Sequence, residues 1–269
     1  MSVITISRGS FSGGKMLAEC LAKRLGYRCI DRDVIVERAA GSGVSQEELR
    51  DALERPPGIL ERFSHKRYLY LALIQASLTE EVKTGKVIYH GLAGHLLLGG
   101  GLHILRTRLI APLDFRVHIV HERLHYSYSE AVAYIAKVDE QRRKWVSYLY
   151  GADWRDPALY DIVLNLEHMN VETACHIVST AVRRRCFELT PACRQGLEDL
   201  ALASKVKATL ALDPATHGLE FDVTAHSGVL SVVGRLSDLD QLQNVKRIAE
   251  SVPGVFQLDL DRLSLPIQA

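Results

Sequence analysis

Between Gly9 and Lys15 the chain reads Gly-Ser-Phe-Ser-Gly-Gly-Lys, the spacing G-x-x-x-x-G-K. Glycines let a backbone close around a phosphate, so that successive amides point inward as an anion nest. A helix starting at the end of such a turn adds its positive dipole end. A lysine in this place puts a point charge near the β- and γ-phosphates of a nucleotide. Gly9, Ser10, Phe11, Ser12, Gly13, Gly14, Lys15 and Met16 are therefore the candidate phosphate-binding residues. The hydroxyl residue that usually follows the lysine and contacts magnesium is replaced by Met16, and Leu17 carries no hydroxyl either. A Gly-rich turn that merely caps a helix is the bland alternative.

The elements around this turn have the right order. Val3 to Ser7 is a short run rich in β-branched residues and predicts a buried strand. After the turn, Leu17, Leu21 and Leu25 mark one helical face, closed by Gly26. Tyr27 to Ile30 predicts a second strand, ending at Asp31. Ser45 to Glu48 forms a capping box for a short helix ending before Pro56-Pro57, and a long helix is expected over about 59–84. Val87 to His90, Arg106 to Ala111 and Tyr160 to Asn165 predict further strands, with helices from Pro112, over about 129–150 and over about 171–186. Strands alternating with helices imply an α/β fold, a parallel sheet covered on both faces.

Several separated pieces resemble the cytidylate-kinase-like P-loop proteins. They are Ile6 to Lys15, the Cys-Ile-Asp-Arg-Asp-Val-Ile of residues 29–35, Arg-Leu-Ile-Ala-Pro-Leu-Asp-Phe-Arg-Val at 108–117, Lys137 to Trp145, and Gly151 to Asn165. The resemblance covers roughly residues 1–186. It implies a three-layer P-loop fold with a helical lid, and transfer of the γ-phosphoryl of ATP to CMP or a similar acceptor, with Mg2+. It also implies roles. Lys15 and the turn amides hold the donor, Lys137, Arg142 and Arg143 match the mobile lid, and Arg116 faces the site. Asp139 is placed to orient a lid cation. Lys15, Arg142, Lys137 and Arg116 are the catalytic candidates. Asp31, Arg32, His90 and Asp161 are the substrate-binding candidates, Asp31 and Arg32 because ligands of open α/β sheets collect at strand ends. Each has a plainer reading as a surface ion pair, a cap or a structural histidine. Family members often carry Gly-Arg-Gly after the third strand, whereas this chain has His90-Gly91-Leu92-Ala93-Gly94-His95. The arginine expected to grip an acceptor phosphate is missing there. His90 and His95 are the substitutes at hand, and they lack the further ligands of a metal site.

Pro191 and Gly196 interrupt the helical pattern, and the period then changes to strict alternation over Leu219 to Ala225. The boundary is read at 187–196, giving domains 1–190 and 197–269. The second has the order helix, strand, strand, helix, strand. It resembles a small α+β BON domain through the hairpin around Ser227-Gly228 and the segment Ala249 to Leu260. That resemblance implies a binding or sensing module with a ligand or protein partner. Each part is expected to fold alone, and 1–190 to bind ATP without the rest.

Composition sets the limits. The 269 residues carry 33 Lys+Arg and 32 Asp+Glu, which argues against a dedicated nucleic-acid binder. The five cysteines form no Cys-x-x-Cys pair and read as reduced cytosolic thiols. No apolar run reaches membrane-spanning length and no basic leader precedes the first strand, so a cytoplasmic protein is expected. Three functions stay open: a nucleoside monophosphate kinase, a nucleotide-binding regulatory protein that has lost turnover, and a kinase for another acceptor.

Overall fold

A computed structural model describes residues 2–54, 65–91, 93–99 and 104–265, with no side chains described for 52–54. Pro56-Pro57, the start of the helix expected from residue 59, and Leu92 lie outside the described residues. The front elements are β1 (Val3–Arg8), α1 (Gly14–Leu25), β2 (Arg28–Asp31), α2 (Arg32–Ala40), α3 (Gln46–Glu54), α4 (His65–Val82) and β3 (Val87–His90). Then follow α5 (Gly94–Leu97), β4 (Ile104–Ile110), α6 (Leu113–Leu124), α7 (Tyr128–Tyr150), β5 (Ile162–Asn165) and α8 (Val171–Ala181). The last elements are α9 (Pro191–Leu212), β6 (Phe221–His226), β7 (Val229–Arg235), α10 (Leu239–Glu250), β8 (Gln257–Asp259) and β9 (Leu263–Ser264).

The chain forms two compact units. The first, built from the described parts of Met1–Ile35, Leu53–Pro56 and Thr84–Leu189, holds a five-stranded sheet of order β2-β3-β1-β4-β5. Every neighbouring pair is parallel, with Val3 of β1 aligned to Val87 on one side and to Ile104 on the other. Strands buried on both faces read as unbroken apolar runs, as Val87 to Tyr89 do. The predicted helical face holds: Leu17 and Leu21 are fully buried against Ile4, Ile6 and Val178, while Leu25 packs at the edge. Ser127 caps α7 through a reciprocal pair of bonds with Glu130. Asp31 Oδ1 accepts the Val34 amide at 3.1 Å, turning the chain from β2 straight into α2.

Two expectations are corrected here. Cys20 on α1 and Cys175 on α8 are joined as a disulfide, with Cα atoms 6.2 Å apart and 155 residues between them. No local spacing could signal this pair, because the two helices meet only in the folded unit. Nor does the helix break at Gly196. Thr190 caps α9 by accepting the Cys193 amide, Pro191 takes the first turn, where a missing N–H costs nothing, and the helix runs on to Leu212.

The second unit comprises Val36–Ala52, the described part of Pro57–Lys83 and that of Thr190–Ala269. So α4, which the sequence pattern groups with the first part, packs along α9. The hairpin β6–β7 is antiparallel, and β8 and β9 both lie parallel to β7. Phe221, Leu230, Val232, Val245 and Ile248 fill the core beneath Val206 and Leu210 of α9. Tyr68 of α4 ties into this sheet. Its hydroxyl donates to the Phe221 carbonyl and accepts the Phe221 amide, both at 2.9 Å. Burial raises the Tyr68 pKa, so the hydroxyl keeps its proton. Tyr68→Phe is expected to cost about 1–3 kcal/mol, the penalty for stranding buried partners. Urea unfolding checks it, and an unchanged midpoint would remove Tyr68 as a tie.

Candidate functional site

The turn from Gly9 to Gly13 joins the C-terminal end of β1 to the N-terminal end of α1, at the edge where ligands of parallel sheets bind. Gly9 N donates to Leu109 O of β4 at 3.2 Å, and Ser12 N returns to Gly9 O at 3.2 Å, so the turn is folded onto the sheet. Gly13 has φ 79°, a left-handed conformation that favours glycine. At Gly14 a Cβ atom would sit 2.1 Å from Arg8 Cδ, so the glycine makes room for the Arg8 side chain to lie across the turn. The hydroxyls of Ser10 and Ser12 are buried with no partner.

Two cavities flank this turn. One, of about 230 Å³, opens toward β2 and β3. Lys15, Met16, Asp31, Arg32, His90 and Arg142 all reach it, so most sequence candidates come together. Asp31 and His90 are paired in register on β2 and β3. Arg142 comes from α7 and donates to the Arg8 carbonyl at 3.4 Å. His90 is buried with Nδ1 unpartnered, and burial, then the Arg8 charge, lowers its pKa, so the ring is held neutral.

The other cavity, of about 330 Å³, lies toward β4 and is lined by Gly9, Ser12, Ala111, Arg116, Asp139 and Trp154, among others. Here Arg116 and Asp139 bracket one residue of the turn, Ser10. Arg116 Nε donates to Ser10 O at 2.6 Å, Ser10 N donates to Asp139 Oδ1 at 3.1 Å, and Arg116 pairs with Asp139 at 2.5 Å. Helix α7 is thereby fastened to the turn. Trp154 is an anchor for the loop before β5. Its ring lies 4.4 Å from the Arg108 guanidinium, and its carbonyl accepts from Tyr160 Oη at 2.6 Å and from Arg108.

Two candidates fall elsewhere. Lys137 is exposed and lines neither cavity. Asp161 also lines neither: it accepts the Arg106 amide at 2.8 Å and pairs with the Arg106 guanidinium at 2.7 Å, joining β4 to the start of β5. Arg143 does line the cavity toward β4, where it is engaged by Glu140, whose carboxyl it holds down at about 2. His95 is buried against Tyr160, ring centroids 4.7 Å apart, and burial with the Arg106 and Arg108 charges lowers it to about 4. Sequence reasoning missed Arg8 and Arg123, which line the β2–β3 cavity. Arg8 was visible as a basic residue directly before the Gly-rich turn, and that placement is a usable signal.

A parallel sheet of this order, with a glycine turn between its central strand and a basic helix start, defines a P-loop α/β protein. The family model described as the cytidylate kinase-like family matches residues 3–168, and the chain belongs to that family. It is 31% identical over 182 residues to a cytidylate kinase of Thermococcus kodakarensis, covering 67% of this chain and 87% of the relative. A cytidylate kinase of Pyrococcus horikoshii is also 31% identical, over 67% of this chain and 88% of its own. Among solved structures, an uncharacterized protein from Eubacterium ventriosum superposes with TM-score 0.55 at 16% identity, covering 69% of this chain and all of that one, a likeness of fold.

Proposed function

We propose that this protein is a nucleoside monophosphate kinase that moves the γ-phosphoryl of ATP to CMP or a close relative. The observation that carries this is the turn with a cavity on each side: a two-substrate transfer needs one site for the donor and one for the acceptor, meeting at the turn. In the reaction an oxygen of the acceptor phosphate attacks the γ-phosphorus. The bond from that phosphorus to the β–γ bridging oxygen breaks, and ADP and a nucleoside diphosphate leave. Lys15 and the turn amides hold the donor phosphates. Arg142 approaches the transferring group. Catalysis is then positioning and charge neutralisation.

Magnesium enters as part of the nucleotide substrate. Among the described residues no group of three or more His, Cys, Asp or Glu side chains could hold a metal alone. Magnesium needs only one or two protein ligands beside phosphates and water, and Asp31 and Asp33 line the cavity to supply them. Met16, 47% exposed, offers none. Among the described residues no helix is long and apolar enough to cross a membrane. We propose a cytoplasmic location, which the ATP dependence of the proposed reaction supports. For the C-terminal region we propose a BON-type sensing module with its own ligand or partner, supported by the order α9, β6, β7, α10, β8.

A coupled assay of ADP release against a panel of nucleoside monophosphates and small hydroxyl metabolites tests the kinase reading, with CMP expected among the best acceptors. Arg142→Ala is expected to lower kcat and kcat/KM together, by about 10²-fold or more. A variant that changes only the KM for ATP would assign Arg142 to ground-state binding.

A further inference from the structure

Two residues of the phosphate turn hold a left-handed backbone, Phe11 at φ 60° and Gly13 at φ 79°. Glycine adopts this region freely, whereas a bulky side chain avoids it. Such strain persists only where the surroundings impose it, and it gathers at functional sites. What holds Phe11 is its ring. The ring packs against Tyr134 of α7, centroids 5.8 Å apart, and Tyr134 meets Tyr126 edge-on at 5.4 Å. Phe11 and Tyr134 both pack on the cluster formed by Val117 and Val120 of α6 with Ala131 and Ile135 of α7. The turn therefore places a ring against the core between these two helices. Phe11 also lines the β2–β3 cavity, as do Arg123 from the end of α6 and Arg142 from α7. Arg142 follows Tyr134 by about two helical turns.

A phenyl ring offers a phosphate no hydrogen-bond donor. A glycine in its place would give the same left-handed turn without strain. What phenylalanine supplies at this position is the contact with α6 and α7. We propose that Phe11 is a positioning residue for the transfer step: its ring fastens the α6–α7 hairpin to the phosphate turn and so sets where Arg142 stands over the cavity. This rests on the kinase reading and adds to it a residue that acts through another side chain. The bracket of Arg116 and Asp139 on Ser10 is the polar half of the same joint, one residue earlier in the turn. A cation at a transferring group tolerates little error, since a misplacement of about 1 Å costs on the order of a hundredfold.

The test uses the full chain with Phe11→Gly, Tyr134→Ala and the double variant. Phe11→Gly removes the ring and permits the same backbone conformation. Each single variant is expected to lower kcat on the order of tenfold to a hundredfold, with the KM for ATP nearly unchanged. The double variant is expected to be no slower than the slower single one, because both remove one contact. Phe11→Tyr, which keeps the ring, is expected to recover most of the kcat lost in Phe11→Gly. Multiplying losses in the double variant would overturn the proposal. So would a Phe11→Gly variant as fast as the wild type, or one altered only in its KM for ATP or its thermal midpoint. If Tyr134→Ala fails to fold, the comparison of Phe11→Gly with Phe11→Tyr decides. Amide hydrogen exchange separates this joint from the kinase reading. Were the wild type to turn over no acceptor, faster exchange over 113–150 in Phe11→Gly would uphold the joint while the kinase reading fell. Unchanged exchange there would overturn the joint whatever the turnover.

Discussion

Lys15→Ala is expected to lower kcat/KM by about 10²–10³-fold, close to 3–4 kcal/mol of transition-state binding, while the thermal midpoint stays where it is. The side chain stands at the first turn of α1, exposed, where the glycine turn ends. Its ion pair with Glu19, at 3.8 Å with both side chains more than half exposed, is a solvent-screened contact worth at most about 1 kcal/mol. Folding therefore loses almost nothing when the lysine goes. In the proposed reaction, by contrast, the transferring phosphoryl develops its charge in a cavity lined by Lys15, Arg32 and Arg142. Steady-state kinetics, ATP titration and heat unfolding on the same preparation separate the two effects. Equal turnover and equal ATP affinity in the variant would sink the assignment of the turn as a phosphate site. A lowered midpoint would show that Lys15 supports the fold instead.

The second large effect concerns the C-terminal region. A fragment of residues 197–269, cut where the period of the sequence changes, is expected to show no cooperative unfolding transition. Starting at 197 removes the Thr190 cap and the first turn of α9. It also removes α4. Along α9 the buried positions include Ala201, Ser204, Ala208 and Ala211, small side chains at helical spacing that let another helix approach closely, and α4 is the helix that packs there. Helix α4 buries Leu73, Ile74, Leu78 and Val82, each worth about 1.5–3 kcal/mol when fully removed from water. The Tyr68 tie to Phe221 is lost with it. A whole domain is stable by only about 5–15 kcal/mol, so losses of this size are enough to unfold it. Circular dichroism and amide proton dispersion of the fragment decide the matter. A sharp heat transition would show that the core of Phe221, Leu230, Val232 and Ile248 suffices without α4.

Elements whose signals are local were legible in the amino-acid order. The strand, glycine turn and helix of residues 3–26 follow from a β-branched run, three glycines and leucines four apart, each acting within a few residues. The hairpin at Ser227-Gly228 and α10 follow from alternation and a cap in the same way. The cytidylate kinase-like resemblance rests on such separated local blocks, and the family match covers them. Within the last block, Trp154 is buried as a loop anchor, so part of that signature is architecture, not chemistry.

What the order of residues alone did not contain is which distant side chains meet. Arg8, Arg32 and Arg123 converge because β1, α2 and α6 bring positions far apart in the chain to one end of a parallel sheet, and no period or spacing encodes that meeting. Asp139 and Arg116 become a bracket on Ser10 only when α6 and α7 pack beside the turn. Cys20 meets Cys175 because α1 and α8 lie side by side on the sheet. Helix α4 joins α9 instead of the strand that follows it because its partner is a small-residue face some 120 residues onward. Local physics chose the elements, since hydrogen bonds and caps are satisfied within a few residues. Burial and charge, which act across the folded chain without regard to sequence distance, decided the site.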